Sequence, residues 1–284
     1  MSPLTWKLPN RILTMGPLPL IMGIVNVTPD SFSDGGVHSS TEAAVAHGMR
    51  LAQQGADLLD IGGESSRPGA IAVSAQEEIA RVLPVVKALA SQTQVPLSID
   101  TCKAEVAREC LEAGCAIVND ITALHGDEKM TEVVKKHDAA IVLMHMQGTP
   151  STMQNDPQYG NVVSEIKEFF KERLEHLDQN GIDRERAILD AGIGFGKRKN
   201  HNFELLAHMK DFLIFNRPIL LGASRKGFLT KTSGADSPGH RLAGSLAMAC
   251  HAALSGTAHI VRVHDVDETR AAFRVLEAIA NVKA

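Results

Sequence analysis

Eight short apolar runs, each followed by a longer amphipathic segment, constrain this chain more than any other feature. The runs are Leu20–Val27, Asp57–Gly62, Leu97–Asp100, Ala116–Ile121, Ala140–Met146, Ala187–Asp190, Ile219–Gly222 and His259–His264. Runs this short and this rich in aliphatic residues read as buried strands, and the stretches between them read as helices. Val163, Ile166, Phe170, Leu174 and Leu177 recur three or four apart and share one helix face. Ser74 with Glu77 three residues on forms a capping box ahead of Ile79, Val82, Leu83 and Val86, and Pro84 within that helix predicts a kink. Gly55, Gly114, Gly181 and Gly256 each stand just before a strand, where a left-handed residue ends a helix, and Pro19, Pro96 and Pro218 precede three of the other strands. Strict strand–helix alternation implies a parallel sheet. Eight such units predict an α/β fold, a single-domain (β/α)8 TIM barrel over residues 19–284, with residues 1–18 as an N-terminal extension of unread role. An open, doubly wound sheet is the alternative.

Composition narrows the function. Hydrophobic residues make up 44% of the 284 but aromatics only 4%, so aliphatic side chains must fill the core. The net charge of -4 argues against a nucleic-acid binder, which needs a basic face. No apolar run approaches the about 20 residues of a membrane span, and the start of the chain lacks the pattern of a signal peptide. A cytoplasmic protein that binds no membrane is expected. Cys102, Cys110, Cys115 and Cys250 form no C-x-x-C and read as reduced apolar fillers, with a reactive thiol at Cys102 as the weaker reading.

Ligand sites of such barrels lie at the carboxyl ends of the strands. There the chain places Asn26 and the polar loop to Gly36, the stretch Gly62–Gly69, Asp100-Thr101, Asn119-Asp120, His145–Gly148, Asp190–Lys197, Ser224-Arg225-Lys226 and Arg262–Asp265. Each has a plain structural reading. Strand-end Asp and Asn residues often cap helices, His145 is as readily a core histidine as a catalyst, and Lys197-Arg198-Lys199 reads as a solvated run. The glycines after Asp190 lack the context of a dinucleotide fingerprint. Their convergence on one rim is what marks an active site. Asn26, Arg67, Arg262 and His264 suit an anion such as a diphosphate. Asn26 also suits Mg²⁺, a hard cation shared with substrate phosphates. Asp100, Asn119 and Asp190 match the donor-rich edge of a pterin or aminopyrimidine, and Lys226 offers a donor to a ring carbonyl or nitrogen.

From Leu20 to Val275 the chain resembles the dihydropteroate synthase family. The resemblance is carried by N-V-T-P-D-S-F-S-D-G-G at 26–36, G-G-E-S-S-R-P-G at 62–69, S-I-D-T at 98–101 and N-D-I at 119–121. It continues with M-H-M-Q-G at 144–148, D-A-G-I-G-F-G-K at 190–197, S-R-K at 224–226 and R-V-H-D at 262–265. It implies a transferase that condenses (7,8-dihydropterin-6-yl)methyl diphosphate with p-aminobenzoate, and a homodimer. By position it assigns Mg²⁺ to Asn26, the diphosphate to Ser66, Arg262 and His264, and the pterin to Asp100, Asn119, Asp190 and Lys226. Arg67, Pro68, Phe195 and Ser224 fall to p-aminobenzoate. The catalytic set is Asp30, Asp100, Asp190 and Lys226, with Thr28–Gly36 and Ser65–Gly69 as closing loops and the pterin binding first. Ser66 stands where the family often has Thr. Ala191 and Ile193 stand where it often has Pro and Phe, which predicts a looser loop after Asp190 with one aromatic fewer. A pterin-dependent methyltransferase barrel serving a corrinoid, and a non-catalytic pterin-binding relative, are the alternatives. The first needs no Arg262–His264 anion site, and the second would not need the loops.

Overall fold

The computed structural model describes residues 3–28, 36–66, 69–234 and 237–282. Two short strands, β1 (Thr5–Lys7) and β2 (Ile12–Thr14), pair antiparallel as a hairpin, Trp6 opposite Leu13. The apolar runs then become eight parallel strands. These are β3 (Leu20–Asn26), β4 (Leu58–Gly62), β5 (Leu97–Asp100), β6 (Ile117–Asp120), β7 (Ala140–Met144), β8 (Ala187–Asp190), β9 (Ile219–Leu221) and β10 (Ile260–Val263). β10 pairs with both β3 and β9, which closes the barrel and removes the open-sheet alternative.

The sequence runs overshoot the strands by a residue or two at either end, where the chain turns away from the ladder. Asp57, for example, lies just before β4, where its carboxylate accepts from the Ile21 amide at 2.7 Å and pairs with Arg270 at 2.7 Å.

Helices cover the outside: α1 (Gly36–Gln53), α2 (Ala75–Gln92), α3 (Ala104–Glu112), α4 (Met130–Lys136), α5 (Val162–Gln179), α6 (Lys199–Ala207), α7 (Gly227–Ser233), α8 (Pro238–Ser255) and α9 (Val266–Ala280). α5 buries the stripe Val163, Ile166, Phe170, Leu174 and Leu177. In α2 only half of the capping box forms. Ser74 Oγ accepts from the Glu77 amide at 3.2 Å, but the Glu77 carboxylate takes Arg81 as its partner. α2 runs on through Pro84 without ending, its buried Val82, Val85, Val86 and Leu89 holding both halves to the sheet. Gly55, Gly114, Gly181 and Gly256 all have positive φ, as helix-ending residues before a strand.

Strand alternation sorts the core into two bodies. Residues such as Leu59, Ile61, Ile99, Val118, Ile141 and Leu189 point outward and pack beneath the helices. Met22, Leu58, Ile117, Val142, Ile188, Leu220 and Ile260 point inward and fill the lower interior. Trp6, Leu8 and Met15 of the hairpin segment close that lower end, with Trp6 fully buried and its Nε1 donating to the Arg186 carbonyl at 2.8 Å. The extension therefore serves as the floor of the barrel.

Candidate active site

One step further along each strand the inward positions change character. Above the aliphatic layer lie Asp60, Asp100, Asn119, Asp190 and Arg262, each two residues on from an inward neighbour, with Ser98 inward beside Asp60. Asp60 was not among the residues singled out from sequence, yet it organises this layer. Its Oδ2 accepts from Arg262 Nε at 2.5 Å and from Asn119 Nδ2 at 3.0 Å. The second bond orients the Asn119 amide so that its carbonyl oxygen is left for another donor. Arg262 Nη2 reaches Asp100 Oδ2 at 2.6 Å. Arg262 is thus bound down to two carboxylates rather than held out as a simple anion donor. Its charge is disfavoured by burial, but Asp60 and Asp100 outweigh that and hold its pKa above the ordinary value.

One guanidinium cannot fully offset both carboxylates. Burial pushes Asp100 up to about 7; Arg262 pulls against it, while Asp60, Glu78 and Asp120 add to the rise. Asp190 is also raised by burial, although its Oδ1 accepts from the Gly192 amide at 2.8 Å. Lys226 is lowered by burial to about 8, and its Nζ sits 3.9 Å over the Phe195 ring, an attractive cation–ring contact. Among the described residues, Asp60 Oδ1 and Ser98 Oγ are buried without a hydrogen-bond partner. Such orphaned atoms are costly, and in a concave polar layer they mark where a ligand or water donates or accepts.

The remaining rim residues lie around this layer. Asn26 ends β3 beside Gly62 of β4. Ser224 and His264 stand together: the hydroxyl meets His264 Nδ1 at 3.0 Å and accepts from the His264 amide at 3.2 Å. Ser66 is half-buried in the loop after β4. Glu64 anchors that loop by accepting from the Val73 amide at 3.1 Å and pairing with Lys103, which also meets the buried Glu78 at 2.6 Å. Asp30, Arg67 and Pro68, with most of the Thr28–Gly36 segment, lie outside the described residues.

Three further expectations change. Lys197 is not part of a solvated run. It is 2% exposed, while Arg198 pairs with Asp156 at the surface. Ile193 packs in the outer core at 1% exposure, so the missing phenylalanine alters packing rather than the site's aromatic surface. Asp120 lies outside the layer and builds the following turn, accepting from the Thr122 and Leu124 amides at 2.8 Å each. His145 proves a core histidine, lowered by burial to about 3 and so neutral. Cys102 is raised by burial to about 12, which leaves its thiol protonated and unreactive. All four cysteines are unpaired. Among the described residues no helix is long and apolar enough to cross a membrane.

Known proteins with this arrangement are numerous. Residues 22–264 match the family described as pterin binding enzyme. The chain is 48% identical over 265 residues to the dihydropteroate synthase of Escherichia coli K12, covering 93% of each chain. Dihydropteroate synthase from Xanthomonas albilineans, solved with 4-aminobenzoic acid, superposes with a TM-score of 0.91 at 46% identity, covering 99% of this chain and 100% of that one. The Xanthomonas albilineans synthase solved with 7,8-dihydropteroate gives a TM-score of 0.87 at 43% identity, covering 98% and 100%.

Proposed function

The chain belongs to the dihydropteroate synthase family of transferases, and from that premise we propose how its own residues divide the work of that reaction. The substrates are the (7,8-dihydropterin-6-yl)methyl diphosphate and p-aminobenzoate. The observation that carries the assignment is the buried polar layer, in which Asp60, Asp100 and Asp190 face Arg262 and Lys226. Carboxylates aimed into a buried layer favour positive charge developing on a bound ring.

Asp100, Asn119 and Asp190 accept the donors along the pterin edge, and Lys226 donates to its ring. Asn119 is held ready by Asp60. Ser66, His264 and Arg262 bind the diphosphate, with Ser224 setting the His264 ring. Binding the diphosphate requires Arg262 to share a guanidinium already engaged by Asp60 and Asp100, so anion binding and carboxylate charge are linked. Phe195 supports the aryl ring, and Arg67 and Pro68 are assigned to the same substrate by their motif. Asp30 and the Thr28–Gly36 segment are assigned to closure and turnover on the same ground.

For the metal, the donor chemistry decides the fit. Among the described residues no group of three His, Cys, Asp or Glu side chains could hold an ion. The single Asn26 oxygen suits Mg²⁺, which binds through one or two protein oxygens together with substrate phosphates. Asn26 would hold the cation against the diphosphate, where it would neutralise charge on the leaving group.

In the reaction the methylene C–O bond breaks with its electron pair leaving on the diphosphate, and the amine lone pair forms the new C–N bond. The amine then gives up one proton to solvent. The amine is already neutral, so this chain supplies electrostatic support for the departing group rather than a strong base. A homodimer is proposed from the family, in keeping with the exposed Leu254, Val275 and Ile279 on α8 and α9. A cytoplasmic setting is proposed from the unpaired cysteines.

Calorimetric titration with the pterin diphosphate, with and without Mg²⁺, followed by a product assay with p-aminobenzoate, tests this reading. Tight Mg²⁺-dependent binding and release of 7,8-dihydropteroate are expected. Binding without product would remove the catalytic assignment.

A further inference from the structure

We propose that Lys197 is a positioning residue for the aryl-amine subsite, stapling the loop after β8 to the end of β7 and so fixing the Phe195 ring. The inference rests on the reading of Phe195 given above. It begins from an anomaly. A lysine in a Lys-Arg-Lys run is expected in water, yet the Lys197 ammonium is almost fully enclosed and lies among three acceptors. These are the Phe195 carbonyl at 2.9 Å, His145 Nδ1 at 3.0 Å and the His145 carbonyl at 3.2 Å.

An ammonium has three N–H donors and no acceptor, so three acceptors match its inventory one for one. The neutral amine would leave one of these acceptors facing its lone pair. His145 fits its part, because a neutral imidazole with an unprotonated Nδ1 accepts, and Phe169 packs edge-on against that ring at 4.9 Å. The strand ends are locked as well, the His145 amide donating to the Asp190 carbonyl at 2.9 Å.

The backbone is shaped to allow this contact. Gly192 and Gly196 have φ of +66° and +60°, and a Cβ on either would collide with the carbonyl oxygens of His145 and Gln147 respectively. The loop after β8 therefore lies directly on the loop after β7. Two of its other carbonyls are met by side chains from the β7–α5 segment, Gly194 by Gln154 and Gly196 by Tyr159 at 2.9 and 2.7 Å. Lys197 acts from the closed interior, and its acceptor on this loop is the peptide of Phe195 itself. The Phe195 ring in turn carries Lys226 at 3.9 Å. A side chain that never reaches the substrate thus sets the ring on which the second substrate rests. The pterin contacts Asp100, Asn119 and Asp190 are held by their strands, and Lys197 touches this set only through its charge on Asp190.

The test is steady-state kinetics on Lys197→Met beside Phe195→Ala. Burial lowers Lys197 to about 7, so the loss lies between that of a neutral and a charged hydrogen bond, and a rise of about five-fold or more in KM for p-aminobenzoate is expected, with a smaller fall in kcat. Affinity for the pterin diphosphate, read by calorimetry, should stay within about two-fold of the parent. His145→Phe keeps the backbone acceptor and the bulk of the ring and removes only the Nδ1 acceptor. It should raise the same KM by about three-fold, and it carries the test if the Met variant does not fold. If Phe195→Ala raises KM for p-aminobenzoate while the Lys197 and His145 variants do not, the proposal is overturned and the reading of Phe195 stands. If Phe195→Ala leaves that KM unchanged, the reading fails and the proposal fails with it. Equal losses of pterin and p-aminobenzoate affinity in Lys197→Met would show a general structural role and overturn the proposal.

Discussion

Asp60→Asn isolates the electrostatics of the buried layer. Asp60 and Asp100 bond to neighbouring nitrogens of one guanidinium, Nε and Nη2 of Arg262. Carboxylate oxygens held that way are about 5 Å apart, where like charges repel by about 3 kcal/mol at an effective dielectric of about 20. That equals about 2 pK units, and the Arg262 guanidinium bonded to both carboxylates reduces it to about 1. The neutral amide keeps the shape and can still accept from Arg262 Nε, so the layer should persist while Asp100 feels less negative charge. Its pKa, pushed by burial up to about 7, should then fall by about 1–2 units. The assay is calorimetric binding of a pterin without diphosphate, from pH 5 to 8.5, so that phosphate ionisation does not intrude. In the parent protein, binding should weaken as the pH falls through about 7 and Asp100 takes up its proton. In the variant the weakening should move toward lower pH. A midpoint that stays in place, or moves up, would refute the claim that Asp60 presses on Asp100. Stability should follow the same linkage. A carboxyl whose folded pKa exceeds its unfolded value costs stability above the folded pKa, and that cost disappears as the pH falls toward the unfolded value of 3.8.

Trp6→Ala should cost about 3–5 kcal/mol in urea unfolding, since it empties the largest side chain of the barrel floor; a loss under about 1 kcal/mol would mean the hairpin is dispensable. Arg262→Ala should weaken the diphosphate substrate far more than the free pterin, and equal weakening would take Arg262 out of the anion site. Replacing Asp30 and Ser31 together should lower turnover while pterin binding holds, and a parallel loss of binding would make that segment structural.

The barrel was legible because each strand is a short aliphatic run and all but one follow a Gly or Pro, a local signal that tertiary context did not need to supply; before β7 the left-handed turn falls to Asp138. The rim was legible for the same reason, since strand ends can be located once strands are. Asp60 was missed because it sits inside an apolar run, although period-two alternation was available. Leu59 and Ile61 face the helices, so Asp60 had to face the interior. The burial of Lys197 was not readable, because its acceptors on His145 arrive from 52 residues away. The hairpin was equally hidden. Its Trp6 and Leu8 are too few to show a pattern, and only the barrel floor they meet explains them.

The Trp6 floor also governs traffic. A barrel stoppered by an aromatic hairpin and packed aliphatic side chains is a blind well with one mouth. With the proposed assignments, the pterin in the polar layer is expected to enter before the p-aminobenzoate on Phe195, and the joined product to leave by the same mouth. The sequence of arrivals and departures is then a matter of depth, set by a segment at the opposite end of the molecule from the reacting bonds.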